Sequence, residues 1–138
     1  MAKLARGLRN NNPLNIRMGI KWQGLATPAH DGAFARFESM TWGARAALVL
    51  LRNYVSGANT SHKKFDTLTK IISRWAPPSE NNTNAYIARV SLSTGIHPYE
   101  KIVASDRTKL VAIASAMAEV ECGQKLDRSI FESAWDLI

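Results

Sequence analysis

The sequence predicts a mainly α-helical single domain, residues 1–138, with a loop-rich segment over 1–37 and a helical body over 38–138. Three observations carry this. Length fits one domain, and with 46% hydrophobic residues the chain can bury a core without disulfides or metals. Apolar residues after Phe37 recur at helical spacing between capping residues. The first 37 residues are rich in Asn, Gly and Pro and show no sustained period.

Taken in order, the N-terminal segment is expected to be loop, with a short hairpin around Ile16 to Gln23. In "FESMTWGARAALVLLRNYV", Ser39 or Thr41 can cap a helix that carries Trp42, Ala46, Val49, Leu50 and Asn53 and ends near Tyr54, before Gly57. A second helix is expected from about Asp66 to Trp75, capped by Asp66 or Thr67 and stopped by Pro77 and Pro78. A third opens near Asn82 or Thr83 and runs to about Leu92, with Tyr86, Ile87 and Val90 along it. A fourth begins after Asp106 and runs to Cys122, closed by Gly123 in left-handed geometry. The fifth is introduced by a capping box, Ser129 with Glu132, and carries Phe131 and Trp135. Five helices with little or no strand is the expected inventory.

The end of the fourth helix, "AIASAMAEVECGQ", holds two glutamates in an apolar run. With Leu110 at zero and about 100° per residue, Ile113, Ala114, Met117 and Val120 fall on one side. Glu121 falls at roughly 20°, on that side, and Glu119 at roughly 180°, opposite. Glu119 reads as a solvated charge and Glu121 as a carboxyl on the packing face. Burial disfavours an ionised carboxylate, which is how a general acid is kept protonated. A structural ion pair is the plain rival for Glu121.

Composition narrows the rest. A net charge of +7 attracts polyanions, among them nucleic acid and the acidic polymers of a bacterial wall. The basic residues are scattered with no run of five, which argues against a nucleic-acid tail. The longest apolar stretch is too short to cross a bilayer, and "MAKLARGLRNNN" lacks the apolar region of a secretory signal. A single cysteine, Cys122, allows no internal disulfide, and His30, His62 and His97 have no metal-ligand spacing, so no metal or cofactor is expected. Trp42 and Trp135 read as core. Trp22, Trp75, Tyr86 and Tyr99 could stack on sugar rings, with the loop amides Asn12, Asn15, Asn81 and Asn82 to meet hydroxyl and N-acetyl groups.

The stretches "RGLRNNNPLNIR", "KWQG", "FARF", "GARAALVLLRNY", "IISRWAPPSENNTNAYIARV" and "AMAEVECG" resemble small phage and prophage virion-associated proteins related to lysozyme-like peptidoglycan hydrolases. The resemblance covers nearly the whole chain. It departs at Cys122, where the group usually has Asn in Glu-Asn-Gly, and at Thr41, where an acid is expected. A looser similarity links the Glu-Cys-Gly helix end to lytic transglycosylases and glucosaminidases. In those, segments like "NPLNIR" and "KWQG" follow the glutamate; here they precede it, which implies a circularly permuted site with Glu121 set against Asn15–Trp22.

The resemblance implies a lysozyme-like fold and cleavage of the β-1,4 bond between N-acetylmuramic acid and N-acetylglucosamine in peptidoglycan strands, with Glu121 as acid and base and Glu80 as a second acid. It carries Asn81, Thr83 and Tyr86 as matching positions beside Glu80; Asn12, Asn15, Arg17, Trp22, Asp31 and Trp75 join them as candidate substrate contacts, with Asp31 or Glu80 as partner if water attacks. A cap is the plain alternative for Glu80 and Thr83. A protein made in the host cytoplasm would then reach the wall through lysis or from the virion, alongside other virion proteins. Two rivals stand beside this: a non-catalytic virion accessory protein, and a basic nucleic-acid-binding module, the latter weakened by its scattered charge.

Overall fold

In the computed structural model, residues 5–79 and 81–138 are described; Glu80, one of the expected acids, lies outside them. The element order is α1 (Arg6–Arg9), β1 (Leu25–His30), β2 (Ala35–Phe37), α2 (Met40–Ser56), α3 (Leu68–Trp75), α4 (Thr83–Thr94), α5 (Arg107–Cys122) and α6 (Arg128–Trp135). The protein is mainly helical, and its small antiparallel sheet joins β1 to β2. No helix among the described residues is long and apolar enough to cross a membrane.

Helix α5 is the centre of the molecule and packs against α1, α2, α4 and α6. Leu110, Val111, Ile113, Ala114, Met117 and Ala118 are all fully buried, so the apolar surface of this helix extends well beyond one stripe. Small residues let its neighbours come close: Ala44, Ala46 and Ala47 of α2 are buried, and Phe131 of α6 fills the space beside them.

Local signals set most helix ends. Ser39 caps α2 by accepting from the Trp42 N–H, and Gly57 closes it with φ +85°. Thr67 and Asn82 cap α3 and α4. Asp106 caps α5, and Gly123 ends it with φ +71°. The expected capping box at Ser129 is not formed. Asp127 caps α6 instead, accepting from the Ser129 N–H, while Glu132 accepts from Arg107. The hairpin also lies elsewhere than expected, at Leu25–Phe37. Arg17 only joins its edge, through a single bridge to Phe34.

The N-terminal loop is held from inside by one amide. Asn12 is fully buried, and its Nδ2 donates to the carbonyls of Ile16 and Ala35, both at 2.9 Å. Its Oδ1 accepts from the Ile16 N–H at 2.9 Å. The loop is thereby tied to β2 and cannot slide along it. Asn11 and Asn15 turn the chain in left-handed geometry, with φ of 52° and 53°, a conformation asparagine tolerates. Gly7 makes the approach of loop and helix possible, since a Cβ there would sit 2.7 Å from the Asn12 carbonyl oxygen and 3.2 Å from Cys122 Sγ.

Asn12→Ala should therefore take a partner from the Ala35 carbonyl and from the Ile16 N–H in the interior, while the Ile16 carbonyl keeps the Ala35 N–H, and cost about 2–3 kcal/mol, read by urea denaturation. Asn84→Ala, on the exposed side of α4, should stay within about 0.5 kcal/mol of wild type.

Candidate functional site

The N-terminal loop, the end of α3 and the end of α5 enclose an open groove of about 690 Å³. Asn15, Ile16, Arg17, Met18 and Ile20 come from the loop, and Phe34 from the start of the β2 region. Leu50 and Tyr54 come from α2, and Arg74, Trp75 and Ala76 from the end of α3. Asn81 stands before α4, and Glu121 enters from the last turn of α5. A narrower, mostly apolar recess of about 300 Å³ adjoins it and shares Ile20, Leu50 and Tyr54. Trp22, Val49 and Asn53 line that recess.

The two glutamates of α5 do different work. Glu119 pairs with Arg89 at 3.2 Å and lines a separate polar depression with Lys125 and Arg128. Glu121 is partly buried and opens on the groove, where its Oε2 accepts from the Tyr86 hydroxyl at 3.0 Å. Burial, and then the neighbouring Glu121 carboxylate, push the Tyr86 phenol far above its usual range, so Tyr86 is a neutral donor at any working pH. It fixes one oxygen of the carboxyl that lines the groove.

The sequence-predicted residues divide into three sets. Asn15, Arg17, Trp75, Asn81 and Glu121 meet in the groove. Tyr86 is buried behind it as the partner of Glu121, and Trp22 stands in the adjoining recess. Asn12, Asp31 and Thr83 are held elsewhere. Asn12 has its amide fully engaged with backbone. Thr83 is buried and donates to the Ala76 carbonyl at 2.5 Å, fastening α4 to the end of α3.

Asp31 takes a bidentate hold from Arg6, a hydrogen bond from Asn10 Nδ2, and the N–H groups of Ala33 and Phe34. The Arg6 guanidinium, the Phe34 N–H and the Asn10 amide keep its carboxyl well below the usual carboxylate range. It therefore serves as a permanent anion that shapes the β1–β2 turn. Among the described residues, Glu121 is the one carboxyl that lines the groove.

Several lining residues were not singled out from the sequence: Met18, Ile20, Phe34, Leu50, Tyr54 and Arg74. Signals for some existed. Leu50 and Tyr54 share a helix face at i,i+4, and Arg74 precedes a tryptophan at a helix end. The Arg74 guanidinium lies 5.5 Å from the Phe65 ring centre, and Arg17 lies 5.2 Å from that of Phe34.

No known family profile matches the chain. It is 39% identical over 123 residues to "Protein P5" of Pseudoalteromonas phage PM2, a match that spans 86% of this chain and 72% of that protein. The chain belongs to the phage family of Protein P5. Within that family setting, the groove is the place where the chain gathers its unlike chemical groups: a carboxyl, two guanidiniums, two amides and an aromatic wall.

Cys122, next to Glu121, faces inward. It is buried, and its Sγ donates to the Pro13 carbonyl at 3.5 Å. Burial, then the Glu121 charge, pushes its thiol up to about 11. The folded value lies above the unfolded one, so the stability this thiol adds is present below the ordinary thiol pKa and lost as pH rises through about 11. At pH 8 the folded protein should resist maleimide labelling and take up one equivalent once unfolded in guanidinium. Fast labelling of the native protein would place the thiol in solvent.

Proposed function

We propose that the protein is a phage enzyme that cleaves the glycan strands of peptidoglycan, with Glu121 as general acid and then general base. The supporting observation is the placement of Glu121: partly buried, held by Tyr86, and open to a groove of about 690 Å³. Trp75 offers a flat apolar face for a sugar ring, and the Asn15 and Asn81 amides suit hydroxyl and N-acetyl groups. The meeting of an N-terminal loop with the end of a late helix fits a circularly permuted, lysozyme-like site. Descent from the phage family of Protein P5 is compatible with delivery after lysis-system release or from the virion.

The reaction favoured is lytic transglycosylation. A hydrolase of the common kind needs a second carboxylate near the scissile bond. Asp31 is committed to Arg6 and the turn backbone, which leaves Glu121 as the acid at hand among the described residues. Its carboxyl gives a proton to the glycosidic oxygen as the C1–O4 bond breaks. The resulting carboxylate then takes the proton of the muramic acid C6 hydroxyl as O6 closes on C1. One residue thus serves both halves, and no water enters the bond.

A virion accessory protein that keeps the groove without chemistry is the second reading, since phage descent suits it as well. Clearing of chloroform-permeabilised Gram-negative cells separates the two. Wild type should clear them, Glu121→Gln should lose about 10²-fold or more, and Glu119→Gln should keep nearly full activity. A folded but inert wild type would favour the accessory role.

A further inference from the structure

We propose that Arg17 and Arg74 make the groove selective for carboxylate-bearing glycan, gripping the acidic groups of the stem peptides while the sugars lie over the aromatic wall. The inference rests on the peptidoglycan reading above and names the charge the substrate must carry. A neutral glycan of the same backbone would use neither arginine.

The groove carries Arg17, Arg74 and Glu121 as its described ionisable cation and acid groups, so its own charge is +1, and +2 while Glu121 holds a proton. The two guanidiniums come from different parts of the chain, the loop after Asn15 and the end of α3. Each is steadied over an aromatic ring, Arg17 on Phe34 and Arg74 on Phe65. A ring beneath the guanidinium plane leaves its in-plane N–H donors available. Neither has a carboxylate within 4.0 Å among the described residues, whereas Arg6, Arg89 and Arg107 all do. Both are exposed on the groove, and planar, donor-rich cations placed there are suited to bidentate capture of carboxylates. Stem peptides present such groups beside muramic acid, whereas chitin, with the same N-acetylated β-1,4 backbone, presents none.

The test measures binding of the full-length Glu121→Gln protein to purified sacculi by co-sedimentation. One batch of sacculi is native and the other has its carboxyls amidated with carbodiimide and an amine. Native sacculi should bind about tenfold tighter than amidated ones. Adding R17Q and R74Q should lower native binding to the amidated level and leave amidated binding unchanged. R17Q alone, a change at an exposed loop residue, should remove part of the preference. K125Q with R128Q removes the same charge on the Glu119 side of α5 and should keep the preference intact.

Equal binding to both batches would overturn the inference. So would a preference that survives R17Q and R74Q, or one that K125Q and R128Q abolish equally, which is bulk charge attraction. Wild-type cleavage scored on the same native sacculi keeps this apart from the enzymatic reading. Cleavage without the preference overturns the arginine assignment alone. The preference without cleavage overturns the chemistry alone.

Discussion

The site depends on the contact between a buried loop and the last turn of α5. Asn12 braces the loop through two hydrogen bonds to Ile16 and ties it to β2 through a third, to the Ala35 carbonyl, each at 2.9 Å. Pro13 accepts from Cys122, and Gly7 has no side chain to hold the two apart. With the loop set, Asn15 and Arg17 share one groove with Glu121, even though more than a hundred residues separate them in sequence. A looser loop would leave a carboxyl on a helix end with nothing facing it. The polar core group here does more than contribute stability: it chooses one register for the loop and so fixes which side chains reach the groove.

Tyr86 orients the Glu121 carboxyl without placing a cation beside it. A guanidinium partner, as Asp31 has in Arg6, would hold the carboxylate charged and unable to give a proton. A phenol donates one hydrogen bond and adds no charge. Glu119, two residues away, has the opposite arrangement and is bound to Arg89. The rotation between these positions on one helix separates a salt-bridging group from one that faces a groove.

How much of this was legible in the sequence follows from the range of each cause. The ends of α2, α3, α4 and α5 were readable because caps and left-handed glycines act within four residues. The side on which Glu121 lies was readable because helical periodicity is local too. The capping box failed because Arg107, 25 residues away, draws Glu132 off, and Asp127 takes the cap. The hairpin was misplaced because its short strands carry a proline and a mostly exposed face, which leaves little periodic signal. Asn12 and Asn15 look alike in the sequence, yet one is a brace and the other lines a groove, since burial depends on residues from β2 that meet the loop only after folding. Arg74 and Phe34 stayed hidden for the same reason.

Mass spectrometry of the fragments released from purified sacculi tests the central claim most directly. Muropeptides ending in 1,6-anhydro rings, lighter by one water than reducing ends, should form with wild type and vanish with Glu121→Gln. Fragments with ordinary reducing ends would contradict single-acid transglycosylation, and an undiminished yield from Glu121→Gln would remove Glu121 from the chemistry altogether.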